Sequence, residues 1–243
     1  MNKLRHLISY YGGKSKVAHL YPKPRFSTIV EPFAGGASYS LRYYERDIHL
    51  NDIDSRTVNL WRFLLSPDAR EWIERYVPVT VHTGQNILEI FPPGCSAPPG
   101  LIELVRSEAS QGTFGANADQ KQVTAFGARA WNRNFRARLD YWIPKIAHWT
   151  LTKGGYTQLA NRRATWFIDP PYNNAAGRQY RHHAVNYLYL AQWCRARDGE
   201  VIVCEHRDAM WLPFSRMINR YRGMRHDRKN DADEAMYYSF QEI

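Results

Sequence analysis

The residues best suited to chemistry are the acid, prolines and tyrosine of TWFIDPPYNN, residues 165–174. Asp169 and the carbonyl of Pro170 are hydrogen-bond acceptors that can converge on one NH₂ group of a planar base. Two such hydrogen bonds direct the lone pair of the nitrogen out of the plane of the base, towards an electrophile. The ring of Tyr172 can stack on a planar base, worth about 1–3 kcal/mol, while the prolines stiffen the loop. The segment predicts a site for a planar amine; the alternative is a proline-rich strand end with a capping Asp and no ligand.

A second candidate site is the glycine turn of VEPFAGGAS, residues 30–38. A Gly pair between a strand and a helix lets the backbone approach a ligand, and the helix N-terminus presents free N–H groups. The next strand ends on Asp52 and Asp54, where an acid can accept hydrogen bonds from two ribose hydroxyls. Together they predict a nucleoside-bearing cofactor of unspecified type, since GxGxxG is absent. An ordinary tight turn is the alternative.

A third motif, YYGGK at residues 10–14, precedes the first core strand. Gly12 and Gly13 allow a sharp turn, and Lys14 supplies a mobile cation. In isolation a solvated basic loop is the simpler interpretation. Beside a cofactor pocket, Lys14 can pair with a carboxylate and Tyr10 can cover an aromatic ring.

A parallel sheet is the element that brings these residues together. Strand patterns alternate with helical ones, and Ser55 is a plausible N-cap of the second helix. The predicted strands are 27–33, 47–54, 165–169 and 200–206, with strand-like segments near 216–224 and 235–240, and the predicted helices are 37–45, 55–65 and 184–196. This alternation predicts an α/β fold with a central, mostly parallel sheet.

Residues 78–150 interrupt the alternation. Their first half is rich in Pro and Gly and predicts loops with one helix near 101–110. Helical periodicity returns over 120–149 and is broken at Pro144. We therefore expect a core made of residues 1–77 and 151–243, with residues 78–150 as an inserted, mainly helical region.

Composition bounds the class of protein. With 243 residues, 44% hydrophobic and 14% aromatic, the chain can fill a sizeable core, which argues against disorder. It has no run of about 18 apolar residues, so we expect no membrane span, and its N-terminus lacks the apolar segment of a secretory signal. Three cysteines without CxxC spacing favour a reducing cytoplasm and argue against a zinc or disulfide framework.

The charge is strongly basic and uneven. A net charge of +10 and a pI near 9.6 predict a polyanionic partner, nucleic acid first. Residues 1–30 carry six Lys or Arg and no acid. A second basic run is interleaved with aromatic residues and consists of Arg129, Arg133, Arg136 and Arg138. The alternative is a solvated basic surface.

Together the motifs resemble the S-adenosylmethionine-dependent DNA adenine-N6 methyltransferases, the Dam-like family in its α arrangement. YYGGK resembles the family's aromatic-x-Gly-Gly-Lys motif, EPFAGGAS its methionine-binding FxGxG loop, NDID its ribose-binding acid and DPPY its catalytic motif. The resemblance covers about residues 8–62 and 150–206, and DPPY is its most specific part. It implies a Rossmann-like methyltransferase core and, by position alone, a target-recognition role for the insertion.

The resemblance also implies roles for individual residues. Asp169 and the Pro170 carbonyl hold the target amine and Tyr172 stacks on its base, which is flipped from duplex DNA at a cost of a few kcal/mol. Methyl transfer is then direct, from sulfonium to nitrogen, without a metal or a covalent nucleophile. The implied cofactor residues are Tyr10, Lys14, Glu31, Phe33, Gly35, Gly36, Asp52 (a better match than Asp54) and Asp169.

In the insertion, Arg129, Arg133, Arg136 and Arg138 are candidates for phosphate contacts, while Asn132, Asn134 or an Arg is a candidate for reading base edges. The alternative is a helical hairpin whose aromatic residues form its own core, and this is the role we expect for Trp131 and Trp142.

Three positions depart from the family pattern. Ala37 replaces the second Gly of FxGxG and is tolerable if its φ is negative. Gly155 stands where relatives carry an acid that contacts the cofactor's adenine, and Tyr10 with Tyr11 replaces the commoner Trp-Ala pair. These departures leave a catalytically weak DNA-binding protein as one alternative.

The substrate is a further open point. Adenine in RNA and the cytosine N4 amine are alternative targets, and so is a protein glutamine, although the Asp of DPPY disfavours it. We expect a cytoplasmic protein of bacterial or phage origin that acts on double-stranded DNA. A restriction companion, replication or repair marking and phage self-protection are all compatible with the sequence, and a monomer is the simplest assembly.

Overall fold

The computed structural model describes residues 6–110, 121–131, 133–216 and 234–241. Within them a seven-stranded sheet has the order β3-β2-β1-β4-β5-β7-β6. The strands are β1 Thr28–Glu31, β2 Asp47–Asp52, β3 Thr150–Lys153, β4 Ala164–Ile168, β5 Gly199–His206, β6 Ser215–Arg216 and β7 Glu234–Phe240. The helices are α1 Ser55–Leu64, α2 Ala69–Tyr76, α3 Pro99–Ser110, α4 Ala125–Ala130, α5 Arg133–Ile146 and α6 Tyr187–Arg195.

Strand direction confirms the expected α/β class. Strands β1 to β5 pair in parallel, β7 is antiparallel to β5, and β6 is antiparallel to β7. Every residue of β4 is buried, as expected for a strand in the middle of a sheet with both faces covered. The sheet is therefore mostly parallel, with β7 alone reversed.

The strand order places a crevice at one edge of the sheet. From β1 the chain proceeds outward to β2 and β3 on one side, and later to β4 and β5 on the other. Where the connections from two neighbouring strands run to opposite sides of the sheet, a crevice opens at the carboxyl ends of those strands. Ligands bind in this crevice in such folds. Strand β1 ends at Glu31 just before the glycine turn, and β4 ends at Ile168 just before Asp169.

Local differences from the sequence predictions have physical causes. The helix expected over 37–45 is a single 3₁₀ turn, Ser40–Tyr43, and Ala37 cannot begin it because its φ of +46° lies outside the right-handed helical region. The N-cap of α1 is Asp54, not Ser55, since the Asp54 carboxylate accepts from the Arg56 N–H at 2.9 Å.

At the insertion's end, β3 was not predicted as a strand, and α5 continues through Pro144 where we expected a break. Pro144 has no N–H to donate to the carbonyl four residues earlier, so the helix continues past it with one hydrogen bond fewer and ends two residues later, at Ile146. The segment near 216–224 lies almost wholly outside the described residues.

The insertion shares its core with the sheet domain. Trp131, Phe135 and Trp142 are buried in the same apolar cluster as Trp61 of α1. A side chain at Gly100 would place its Cβ 2.1 Å from the backbone of α1, so α3 packs directly against that helix. Trp131 and Trp142 therefore serve packing, as expected, but in a core shared with the sheet domain rather than in a separate core of the insertion. None of the helices in the described part of the chain is long and apolar enough to cross a membrane.

Candidate active site

One cleft at the carboxyl edge of the sheet collects the sequence motifs. It encloses about 700 Å³, counted to its open mouth. The YYGGK loop, the glycine turn, the end of β2 and the start of the DPPY loop form its walls. Every residue that the resemblance assigns to the cofactor lines it, namely Tyr10, Lys14, Glu31, Phe33, Gly35, Gly36, Asp52 and Asp169.

The glycine turn is held from three sides. Gly35 has a φ of +44°, its N–H donates to Asp52 Oδ2 at 3.1 Å, and its carbonyl accepts from Trp61 Nε1 at 2.8 Å. A Cβ at Gly35 would lie 3.0 Å from the ring of Tyr10. The tyrosine hydroxyl in turn lies 3.2 Å from Thr57 Oγ1. Tyr10 therefore covers the turn, and only glycine satisfies both its φ and this close contact.

Ala37, which stands where the resembled FxGxG motif has its second Gly, is a strained residue. Its φ of +46° lies in the left-handed region, which costs an L-residue roughly 1–2 kcal/mol. Its side chain is buried, and its N–H donates to the Ala34 carbonyl at 2.7 Å. The condition under which we expected alanine to be tolerated, a negative φ, is not met.

Asp52 and Asp54 have different roles. Asp52 is buried, and its two oxygens accept from the N–H groups of Gly35 and Asp54 at 3.1 and 2.9 Å. Burial raises its pKa to about 6 against the opposing effect of these hydrogen bonds. Asp54 is instead committed to Arg56, at 2.9 Å, and to capping α1. A carboxylate has roughly four lone-pair sites, so Asp52 keeps acceptor capacity for a hydroxyl of a ligand.

Glu31 lines the cleft, and the segment after β3 lies beside Asp52. Glu31 is buried and accepts from the Ser40 N–H at 2.8 Å. Burial raises its pKa to about 8. Beside Asp52, the Gly154 N–H donates to the Asp52 carbonyl at 3.0 Å. Gly155 follows and has no side chain, so this position lacks the carboxylate that the resembled family uses to contact the cofactor's adenine.

Asp169 is paired with Lys14. Lys14 Nζ lies 2.8 Å from Asp169 Oδ1 and donates to the Gly12 carbonyl at 3.1 Å. Burial raises the pKa of Asp169 to about 6, and Lys14 opposes this rise. Burial also lowers the pKa of Lys14, but Asp169 and Glu234 together raise it above its ordinary value. The ammonium therefore stays charged and faces the acid of DPPY.

The rest of the DPPY loop is clamped by neighbouring elements. The Pro171 carbonyl accepts from the Tyr187 hydroxyl at 2.8 Å, and the Asn173 N–H donates to buried Glu205 at 3.2 Å. A Cβ at Gly177 would lie 1.8 Å from the Tyr172 carbonyl oxygen. Pro170 is buried, and the half-buried Tyr172 ring lies 4.7 Å from Lys14 Nζ. The loop is rigid because contacts as well as prolines hold it.

Sequence reasoning missed the segment that follows this loop. Tyr180, Arg181 and His182 line the cleft, and the Tyr180 hydroxyl donates to the Tyr11 carbonyl at 2.8 Å. The only signal was the run RQYRHH just after DPPY. Sequence reasoning also missed Glu234 of β7, which accepts a hydrogen bond from the Tyr172 hydroxyl at 2.5 Å.

Three candidate DNA contacts of the insertion have side chains that the structure describes, and these three differ in exposure. Arg138 is a correction: it is 8% exposed and pairs at 2.7 Å with Glu108, which is fully buried, so it is a core residue. Arg136 is half-buried and donates to the Val77 carbonyl at 3.3 Å. Arg129 is exposed over the ring of Phe126. Asn132 and the side chains of Arg133 and Asn134 lie outside the described part.

The described residues hold no group of three or more His, Cys, Asp or Glu side chains arranged to bind a metal ion. All three cysteines are free thiols. Compared with family models and with curated proteins, the sequence matches none.

Proposed function

We propose that this chain is a site-specific DNA adenine methyltransferase, which transfers the methyl group of S-adenosylmethionine to the N6 amine of a flipped adenine. The observation that carries the proposal is the common cleft. Asp169 of DPPY opens on the same cavity as the glycine turn and Asp52. A methyl donor and a target amine bound to these motifs would therefore meet in one place, as direct transfer requires.

The residues of the cleft fit S-adenosylmethionine. In this proposal Asp52 accepts from ribose hydroxyls. The buried Glu31, whose pKa of about 8 keeps it largely protonated in the empty cleft, ionises to pair with the ammonium of the methionine part. Gly35 and Gly36 leave out the side chains that would fill the turn. When bound, the cofactor supplies the activated methyl group on its sulfonium.

The chain's own residues would position and polarise the amine. Ionised Asp169 accepts one N–H and the Pro170 carbonyl accepts the other, while Tyr172 stacks on the base. A pKa of about 6 keeps Asp169 ionised at neutral pH, and Lys14 favours the same charged form. The clamped backbone keeps these acceptors at fixed angles, so little reorganisation accompanies transfer.

Charge supports a nucleic-acid substrate. The chain has a net charge of +10, and Arg181 and His182 stand at the cleft that contains Asp169. A base inside a duplex cannot reach such a cleft without flipping. Adenine in RNA and the cytosine N4 amine present the same amino group to the same acceptors and are alternative substrates.

A DNA-binding protein with weak or no transfer is the second candidate. Ala37, with its φ of +46°, is strained in the wall of the cleft, and Gly155 supplies no acid. Either feature would weaken cofactor binding and so lower the rate of transfer.

The deciding experiment is incubation of the protein with duplex DNA and methyl-labelled S-adenosylmethionine, followed by nucleoside analysis. We expect label in N6-methyladenosine, and we expect Asp169→Ala to abolish transfer because the amine loses its acceptor. The matched control is Asp208→Ala, which removes an acid that is 71% exposed. DNA binding without transfer would support the second candidate. Near wild-type transfer by Asp169→Ala would refute the mechanism.

A further inference from the structure

Glu234, the first residue of β7, lies directly behind the DPPY loop. Two hydroxyls donate to its Oε1, those of Tyr172, at 2.5 Å, and of Tyr21, and the ammonium of Lys14 lies 3.9 Å from the same oxygen. Its side chain is 13% exposed. Unlike Asp169, Glu234 does not line the cleft, so it is placed to act through its neighbours rather than on a ligand.

We propose that Glu234 is a positioning residue for methyl transfer, which sets the Tyr172 ring through its hydroxyl and holds Lys14 against Asp169. This inference rests on the proposed function and adds a residue that no sequence motif contains.

The first contact controls the stacking ring. Burial and the nearby acids Asp169 and Glu234 raise the pKa of Tyr172 well above its ordinary value, so its hydroxyl remains a donor. A hydrogen bond from that hydroxyl to a fixed carboxylate restricts the angle of the ring. Stacking on a base depends on this angle, because displacement by about 1 Å can cost about 10²-fold in rate.

The second contact controls charge. Lys14 is the cation shared by Asp169 and Glu234, at 2.8 and 3.9 Å. Two acids near one ammonium hold it between them, which keeps Lys14 beside Asp169 in a geometry that one acid alone would not specify. If packing were the only requirement, apolar residues of similar volume would serve as well as this buried ionic cluster.

The test compares kcat and KM for Glu234→Ala, Glu234→Gln, Tyr172→Phe and the Glu234→Ala/Tyr172→Phe double variant in the labelled-methyl assay. We expect Glu234→Ala to lower kcat by about tenfold to a hundredfold with little change in the KM for S-adenosylmethionine. Glu234→Gln should recover most of this loss, since the amide oxygen also accepts from tyrosine hydroxyls. The double variant should lose less than the product of the single losses, because both changes break one hydrogen bond.

A pH profile separates positioning from mere folding. Glu234 raises the pKa of Asp169, so Glu234→Gln should move the acid limb of kcat to lower pH, which a purely structural residue would not do. The matched control is Tyr238→Phe, which removes another hydroxyl–carboxylate contact of β7, to Glu200 at 3.1 Å, and should keep the wild-type kcat.

Multiplicative losses in the double variant, or an unmoved acid limb in Glu234→Gln, would overturn the positioning role while wild-type transfer still upheld the proposed function. Absence of methyl transfer by the wild-type protein would overturn both.

Discussion

Site residues could be predicted from the sequence more reliably in the cleft than in the insertion. In the cleft, Asp52 is the last residue of β2 and Asp169 directly follows β4. Only β1 separates these two parallel strands, so the topology brings both acids to one edge of the sheet. In the insertion, the basic residues lie on helices, where successive positions turn to different faces. Arg138 shares the face of Phe135 and Trp142 and is buried, whereas Arg129 is exposed. Residue type alone therefore identifies sites at strand ends more securely than on helices.

Arg138→Ala gives the largest expected effect on stability. Removing the guanidinium leaves Glu108 as an uncompensated buried charge, which costs about 3–5 kcal/mol. Urea unfolding should report this loss. A matched control is Arg129→Ala, whose exposed side chain should change stability little. If Arg138→Ala instead leaves stability intact and weakens DNA binding, Arg138 belongs to the DNA surface after all.

The pH dependence tests the cleft. In the proposed reaction Asp169 must be ionised to accept from the target amine, and its pKa is about 6. We therefore expect kcat to fall by about tenfold per pH unit below that value. A rate that stays constant from pH 7 to 5 would contradict the role of Asp169.

The free energy of unfolding should depend on pH in the opposite direction to kcat. The folded pKa of Asp169 is raised above the ordinary value of 3.8, so the folded state binds more protons between the two values. This stabilising contribution is complete below about pH 4 and disappears as the pH rises through about 6. Asp52, with a pKa of about 6, contributes with the same sign. Urea midpoints of wild type and Asp169→Asn across this range measure the contribution.

Ala37→Gly should stabilise the protein by up to about 1 kcal/mol, because glycine adopts a positive φ without a Cβ clash, partly offset by greater freedom of the unfolded chain. Thermal unfolding measures the change. Ala34→Gly, at a buried position of the same turn without a positive φ, is the control and should destabilise. Equal destabilisation by both variants would show that the backbone at Ala37 is not strained.

The smallest expected effect is that of Arg129→Ala on DNA binding. One lost phosphate contact should reduce the slope of log affinity against log salt by about 1. Binding measured at several salt concentrations tests this, with Arg138→Lys, a conservative change at a buried position, as the comparison. An unchanged slope for Arg129→Ala would assign it to the solvated surface.

Much of the sheet could be predicted because β1, β4 and β5 carry apolar runs bounded by turns. Strand β3 escaped prediction since TLTK is an exposed edge strand without such a run. Its pairing with β2 is decided by the partner strand rather than by its own residues. The helix expected after the glycine turn failed for a different reason, because the φ of Ala37 cannot be read from residue type.

By itself, the sequence determined the α/β class, the three motifs at the cleft and the part of the DPPY loop's stiffness that its prolines supply, because each is encoded in local residue patterns. Only the tertiary structure decided that Lys14 pairs with Asp169 and that Arg138 is buried. It also decided that Glu234 accepts a hydrogen bond from the hydroxyl of Tyr172, 62 residues earlier in the sequence. Such contacts depend on how distant elements pack, and β7 reaches the site only because it reverses direction beside β5.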